Sequence, residues 1–349
     1  MNMNKRQRWL TKVGVVAGVA ALLAGSGTFI ATSVASGTNL PTVAKSHSTA
    51  HSSASNVYYW ISQDTTLPLF VQNDLVAWKR AGALFHVTTK VAGPTGIDLA
   101  AFITTINEVC ALHPAGVDIV GWDPSEAAAV NQCLKEGVPT VTDDADLPQS
   151  NELSFVGTNW YDIGVALAKG LIAALPNGGQ VATLSIANSN NMTLALSGFA
   201  ATLKGTKLTP VANESDNGDP ATAATATASL LSAYPNLVGV AGFDAESGTG
   251  ALTAINERHD TGKVKISTVE QTPAYYQNLK TGAVSAIVVQ SRELFTFWAL
   301  TELYMYHHSG ISVDHLPLSI APNMPRDMFT GLVIINKSNV AAYLAAQKK

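Results

Sequence analysis

Hydrogen-bonding side chains follow three short apolar runs in the second half of the chain, each at the point where a run ends. They are Asp244, which follows the ring of Phe243 after the run 237–242, Glu270 after the run 264–269, and Gln290 after the run 284–289. Apolar runs of this length, separated by helical patterns, are typical of buried parallel strands in βαβ units. Because ligands bind outside the carboxyl ends of such strands, these groups predict a binding site at one edge of the sheet.

The first half of the chain repeats this arrangement. Its strand-end side chains are Gln63 and Asp64 after the strand Val57–Ile61, Trp122 as the last residue of the run 117–122 with Asp123 after it, and Asp144 after the run 138–142, with Phe70 at the start of the first helix. A carboxylate can accept two neighbouring hydroxyls, and an aromatic ring can stack on the C–H face of a sugar. Alternative interpretations are a cation site or a plain turn at residues 143–146, and core positions for Trp122 and Phe243.

The motifs of common catalytic sites are not found in the sequence. There is no GxSxG, P-loop or HExxH motif, and no GxGxxG follows the first strand. The segment Gly248-Thr249-Gly250 lacks the third glycine of a phosphate-binding loop, so it predicts the packed start of a helix. We therefore predict a protein that is not an enzyme and needs no cofactor or metal, although a Rossmann-like fold by itself is also compatible with catalysis.

Several segments resemble the ribose-binding-like family of sugar-binding type I periplasmic solute-binding proteins. The similarity lies in the segments 155–159 (FVGTN), 248–252 (GTGAL), 269–273 (VEQTP) and 287–290 (IVVQ). The resemblance implies an α/β protein with two Rossmann-like lobes and a hinged cleft between them. It implies these ligand contacts: Gln63, Asp64, Phe70, Trp122, Asp123, Asp144, Phe243, Asp244, Glu270 and Gln290.

The same resemblance implies a function. A monomeric protein outside the cytoplasm would capture a sugar or polyol by hinge closure and deliver it to an ABC permease. A sensory module that docks on a membrane receptor or kinase is the alternative. The sequence departs from the family at Leu67, where Asn is expected, and at Ala145, where Arg is common. It also departs at Thr193 and Ala195, where the family has one or two Arg residues, one of which grips the sugar. These departures affect the predicted identity of the ligand more than the predicted fold.

The predicted organisation divides the chain at three crossings between the lobes, near Thr158, Gln290 and Ala321. Residues 56–158 and 291–320 form the first lobe, and residues 159–290 and 321–349 form the second. The pattern predicts a last strand over residues 329–335, within the second lobe.

The N-terminal residues predict export. A basic segment (1–12) precedes an apolar segment (13–34) and the small residues Ser33-Val34-Ala35, which is typical of a cleaved signal peptide over residues 1–35. An uncleaved membrane anchor is the alternative. Ser26 stands where a lipobox would have Cys, so the chain is not predicted to be a lipoprotein. Residues 36–55 are rich in Ser, Thr and Ala and predict a flexible spacer.

Charge and cysteine content narrow the prediction further. The formal net charge is −4, and four of the 21 basic residues lie in the first twelve positions, so no basic surface for nucleic acid is expected. The absence of a helix-turn-helix at the N-terminus also excludes a repressor of the same fold. The two cysteines, Cys110 and Cys133, fall on consecutive predicted helices. In an exported chain they predict a disulfide, with two buried thiols as the alternative.

Overall fold

A computed structural model describes residues 56–270, 273–308 and 324–347. The predicted signal peptide or anchor (1–35) and spacer (36–55) lie outside the described residues. Within the described part, no helix combines the length and the apolar character that crossing a membrane requires.

The described residues form twelve strands and ten α-helices that alternate along most of the chain. The strands are β1 (Val57–Ile61), β2 (Thr88–Ala92), β3 (Gly116–Val120), β4 (Thr140–Asp144), β5 (Phe155–Gly157), β6 (Gly179–Ser185), β7 (Leu208–Ser215), β8 (Leu237–Gly242), β9 (Lys265–Val269), β10 (Val284–Gln290), β11 (Asp327–Phe329) and β12 (Leu332–Asn336). The helices are α1 (Leu75–Phe85), α2 (Leu99–Cys110), α3 (Ala127–Lys135), α4 (Trp160–Ala174), α5 (Asn190–Leu203), α6 (Pro220–Ala233), α7 (Ser247–Glu257), α8 (Pro273–Thr281), α9 (Phe295–His308) and α10 (Val340–Ala346).

The strands form two six-stranded sheets that define two lobes. Lobe 1 has the order β2-β1-β3-β4-β5-β11, and lobe 2 has the order β7-β6-β8-β9-β10-β12. All neighbours pair in parallel except β10 and β12, which are antiparallel. The first five strands of each lobe follow the same doubly wound order, so β3 and β4 correspond to β8 and β9. The predicted α/β fold with two Rossmann-like lobes is confirmed.

Burial on both faces explains why the apolar runs become central strands. Every residue of β3 and β4 is buried, and each lobe has one apolar cluster on either side of its sheet. Parallel sheets are stable in this setting because helices cover both faces. The helices do not cover the carboxyl ends of the strands, and polar side chains at these ends line a cavity.

The C-terminal part of the chain differs from the prediction. In place of one strand over residues 329–335, β11 pairs with β5 in lobe 1 and β12 pairs with β10 in lobe 2. The third crossing therefore lies at Thr330 and Gly331, later than the predicted position near Ala321. Gly331 has φ +79°, a conformation that glycine adopts at little cost, and the pattern of apolar residues alone did not reveal this change of sheet.

Close packing of α4 on α5 fixes the start of α5 at the edge of the cleft. A Cβ atom at Gly164 would lie 1.8 Å from the carbonyl oxygen of Ala195, and one at Gly198 would lie 2.1 Å from that of Tyr161. The two helices can approach this closely only because both positions lack a side chain. The polar residues that begin α5 are thereby held against lobe 1. There the backbone N–H of Asn190 donates to the backbone carbonyl of Trp122 (3.2 Å).

A disulfide joins α2 to α3 in lobe 1. The Cα atoms of Cys110 and Cys133 lie 5.3 Å apart, and the described residues contain no free cysteine. Both sulfur atoms are buried in the apolar cluster below the sheet.

Candidate ligand-binding site

A cavity lies between the carboxyl ends of the strands of the two lobes. Its volume is about 70 Å³. At ~10–15 Å³ for each enclosed water this is room for roughly five waters, the scale of a small molecule rather than of a peptide or oligosaccharide. Its polar lining comprises Asp144, Ser189, Asn191, Asp244, Glu246, Glu270, Gln290 and Arg292, and its apolar lining includes Leu67, Leu69, Phe70, Ile97, Trp122, Trp160, Ile186, Met192 and Val269.

A buried arginine lies at the centre of the charged residues in the cleft. Arg292 contacts both carboxylate oxygens of Asp74, through Nε at 3.0 Å and Nη2 at 3.1 Å. Its Nη1 donates to Oδ1 of Asp144 at 2.9 Å and lies 3.7 Å from Oε1 of Glu270 in lobe 2. The four side chains are 0–5% exposed. Arg292 therefore links lobe 1 to lobe 2 at the second crossing.

Burial shifts the pKa values of these groups. It raises the pKa of Asp74 to about 6, which Arg292 opposes, and it raises the pKa of Glu270 to about 7, with Arg292 and Gln290 opposing. Burial alone would lower the pKa of Arg292, but Asp144, Asp74 and Glu270 together raise it well above its ordinary value. The arginine is thus charged in the cleft, because a buried cation with several carboxylate partners keeps its proton.

Asp144 and Glu270 occupy corresponding places in the two lobes. Asp144 ends β4, and Glu270 directly follows β9, the equivalent strand. Their φ angles are +64° and +65°, in the left-handed region that non-glycine residues rarely adopt. Strained backbone of this kind is concentrated at ligand sites, and here it turns both carboxylates from the strand ends into one cavity.

Aromatic rings from both lobes surround Asp144: Phe70 and Trp122 belong to lobe 1, and Trp160 begins α4 of lobe 2. The indole nitrogen of Trp122 donates to Oδ2 of Asp144 (2.8 Å), and that of Trp160 donates to the Asp144 carbonyl (2.6 Å). The ring of Phe70 lies 5.8 Å from that of Trp122, and the Arg292 guanidinium lies 4.8 Å above the Phe70 ring. These contacts hold the rings in place with part of their apolar faces toward the cavity.

Lobe 2 brings two carboxylates together next to the cavity. The hydroxyl of Ser247 lies 2.5 Å from Asp216 and 2.7 Å from Asp244. The Ser247 hydroxyl has a single proton, so it can donate a hydrogen bond to only one of the two carboxylates at a time. Burial, followed by the charge of Asp216, raises the pKa of Asp244 to about 8, so the pair holds a proton at neutral pH.

Six of the ten predicted ligand contacts line this one cavity. They are Phe70, Trp122, Asp144, Asp244, Glu270 and Gln290. Their role as ligand contacts stays a prediction, which their shared position supports.

The other four predicted contacts lie outside the cavity lining. Gln63 donates to Glu126, whose carboxylate accepts from the backbone nitrogens of Trp122 (3.0 Å) and Asp123 (3.1 Å), so Gln63 supports the Trp122 turn. Phe243 is 0% exposed, and its ring lies 5.6 Å from that of Phe199.

The carboxylates of Asp64 and Asp123 are engaged by their own turns. Asp64 accepts from the backbone nitrogen of Thr66 (2.8 Å), and Asp123 accepts from that of Ser125 (2.8 Å). Asp is common at such positions because its side chain can satisfy nearby backbone N–H groups.

The acidic run at residues 143–146 places its carboxylates in three environments. Asp143 is buried in lobe 1, Asp144 lines the cavity, and Asp146 contacts Arg326 (2.9 Å). Among the described residues no group of three or more His, Cys, Asp and Glu side chains could hold a metal ion. The alternative interpretation of this run as a cation site is therefore not supported.

The sequence analysis missed the arginine and its partner. Arg292 follows the polar strand end Gln290 by two residues, and this spacing could have indicated it. Asp74 gave no such signal, because it sits in a helical segment and meets Arg292 only in the folded lobe.

Comparison with known proteins identifies the family. A model of the periplasmic binding protein domain matches residues 58–307. The chain belongs to the periplasmic binding protein family. Its members bind solutes outside the cytoplasm and are not enzymes, so family membership implies an extracytoplasmic location for this chain.

Solved structures extend this result. A sugar-binding protein of a sugar ABC transporter from Bacillus halodurans is 27% identical, over 82% of this chain and 99% of its own, with a TM-score of 0.72. The arabinose-binding protein AraP from Geobacillus stearothermophilus is 25% identical over 82% and 98%, with a TM-score of 0.70. GanP, a glucose-galactose binding protein from the same organism, is 18% identical over 81% and 98%, and its TM-score of 0.75 shows a shared fold. No curated protein sequence matches this chain.

Proposed function

We propose that this periplasmic binding protein captures a monosaccharide-sized polar ligand in the cavity between its lobes and delivers it to an ABC permease. The observation that carries the proposal is the meeting of Asp144 from lobe 1 and Glu270 from lobe 2 across one small cavity with aromatic walls. A ligand that touches both carboxylates favours the closed arrangement of the lobes by its higher affinity for that state. The likeness to a sugar-binding protein at 27% identity supports a sugar or polyol.

Native mass spectrometry of freshly purified protein tests this function. We expect a bound small molecule of monosaccharide size that is lost on mild unfolding. A thermal-shift screen over pentoses, hexoses and polyols should then identify compounds that raise the melting temperature, since a ligand that binds only the native state stabilises it by RT ln(1 + [L]/Kd). Turnover of the bound compound by purified protein would contradict the proposal and indicate an enzyme.

A sensory role uses the same binding event with a different partner. Docking of the closed form on a receptor or kinase would need no change in the cavity, and no feature of the described residues favours it over transport. Co-purification of the ligand-bound protein with a permease, rather than with a kinase, is the expected result. We also propose that the binding protein itself is a monomer, which size-exclusion chromatography with light scattering would test.

Export is proposed from the N-terminal sequence. If the signal peptide is cleaved after Ala35, the intact mass of secreted protein should correspond to a chain that begins at Ser36. Recovery of the full-length chain in the membrane fraction would establish the anchor instead.

A further inference from the structure

The donors in the wall of the cavity are largely engaged within the protein. Arg292 directs Nε, Nη1 and Nη2 at the carboxylates of Asp74 and Asp144. The indole nitrogens of Trp122 and Trp160 both donate to Asp144. The two indole N–H groups and three of the five guanidinium N–H groups thus already have acceptors, and a strongly accepting ligand would compete with these contacts; the side-chain amide of Asn191 is a further donor in the lining.

An acceptor in the same wall has no partner. The side-chain nitrogen of Gln290 donates to Glu270, but its carbonyl oxygen, Oε1, has no hydrogen-bond partner among the described residues. Gln290 is 4% exposed and lines the cavity. A buried acceptor without a hydrogen bond costs ~1–3 kcal/mol. A ligand group that donates to this oxygen would therefore gain affinity.

The lobe 2 side of the cavity also has two carboxylates that lack a basic partner. Glu246 lines the cavity beside Asp244, and neither forms an ion pair with a described Lys, Arg or His. Burial, followed by the charges of Asp219 and Asp216, raises the pKa of Glu246. A cation placed here would relieve this repulsion and gain from several acceptors at once.

We propose that the ligand carries a protonated amine, as in an amino sugar or amino polyol, and that the ammonium group binds on the lobe 2 side between Glu246 and Oε1 of Gln290. An ammonium group supplies three donors and no acceptor, which complements a wall rich in acceptors. A carboxylate or phosphate on the ligand would face the like charge of the carboxylates in this wall, so we expect no binding of an acidic ligand. The inference rests on the proposed function and specifies the ligand class for the same cavity.

Matched pairs of sugars test the inference by titration calorimetry at pH 7 with the secreted protein. We use glucosamine against glucose and galactosamine against galactose, with glucuronic acid as the acidic member. The amine should bind at least ~10-fold more tightly than its neutral counterpart, a difference of ~1.4 kcal/mol, and the acid should give no heat of binding. A neutral sugar that binds as tightly as its amine, or a co-purified ligand without an amine, overturns the inference and leaves the proposed function standing. Absence of binding by every compound, together with absence of a co-purified ligand, overturns both.

A variant on the lobe 2 wall gives a second test. Glu246→Gln should lower the ratio of amine to neutral affinity at least fivefold, because it removes a charge and keeps the shape of the side chain. Glu257→Gln is the matched control, since Glu246 directly precedes α7 and Glu257 is exposed at the far end of that helix. The control should leave the ratio unchanged. An unchanged ratio in Glu246→Gln, with the fold verified by circular dichroism, overturns the proposed position of the ammonium group.

Discussion

At the scale of residues, the two strand-end carboxylates, Asp144 and Glu270, have different roles. Asp144 holds Arg292 and accepts from Trp122, so its removal would leave a buried cation with fewer partners. Glu270 lies farther from Arg292, at 3.7 Å, and its close partner is the amide of Gln290. Breaking a buried ion pair costs ~3–5 kcal/mol, so a variant at Asp144 changes stability as well as binding. Glu270 is the better position for a test of binding alone.

Glu270→Gln should weaken binding of the identified ligand by at least ~10-fold, or ~1.4 kcal/mol. At pH 8, above the pKa of about 7 that burial gives Glu270, the variant replaces a charged acceptor by a neutral one, and hydrogen bonds to charged groups are worth ~1.5–3 kcal/mol. The melting temperature of the free protein should change little, because the Gln side chain can still accept from Gln290. Titration calorimetry measures the affinity.

Exposed lysines provide the controls for this experiment. Lys79→Ala and Lys280→Ala should leave affinity unchanged, since both side chains are exposed on helices away from the cavity lining. Wild-type affinity in Glu270→Gln would remove Glu270 from the site while leaving the two-lobed fold untouched.

At the scale of elements, the disulfide between α2 and α3 stabilises lobe 1. It closes a loop with a sequence separation of 23 residues. A bridge across a loop of this length restricts the unfolded chain and contributes roughly 3 kcal/mol. Reduction with dithiothreitol should therefore lower the urea midpoint of unfolding measured by far-UV circular dichroism.

A double variant separates the disulfide from other effects of the reductant. Cys110→Ala with Cys133→Ala should unfold at a lower urea concentration than the oxidised protein and should not respond to dithiothreitol. Equal midpoints for the oxidised and reduced wild type would show that the two sulfurs are not bridged in solution.

At the scale of the whole molecule, buried acids make stability depend on pH. Burial raises the pKa of Glu126 and Glu302 to about 7 and of Glu152 and Asp244 to about 8. A carboxyl group whose pKa is higher in the folded state binds protons more tightly when folded. The free energy of unfolding then falls as the pH rises from the ordinary carboxyl pKa toward the raised value. The melting temperature should be higher at pH 5 than at pH 8.

Glu302→Gln should flatten part of this dependence. Glu302 is 6% exposed on α9, and the Ser154 hydroxyl offsets the effect of its burial only in part. Each pKa unit corresponds to ~1.4 kcal/mol, so the substitution should stabilise the protein by up to about 3 kcal/mol at pH 8 and by little at pH 5. Glu108→Gln, at an exposed position of α2, is the control. An identical pH profile for Glu302→Gln and wild type would contradict the prediction.

The sequence by itself determined the two-lobed α/β architecture and much of the candidate cavity. Apolar runs with polar ends place side chains such as Asp144, Glu270 and Gln290 at the carboxyl edge of parallel strands, because strand period and sheet topology are local properties of the chain. The resemblance to sugar-binding proteins indicated the same arrangement.

Only the tertiary structure decided which polar residues face the cavity and which serve the fold. Asp123 and Asp244 follow corresponding strands, yet only Asp244 lines the cavity, and Phe243 packs into lobe 2. Arg292 meets Asp74 across a separation of 218 residues, and β11 and β12 divide a single apolar stretch between two sheets. These outcomes depend on contacts between distant parts of the chain, which cannot be predicted from the periodicity of a single segment.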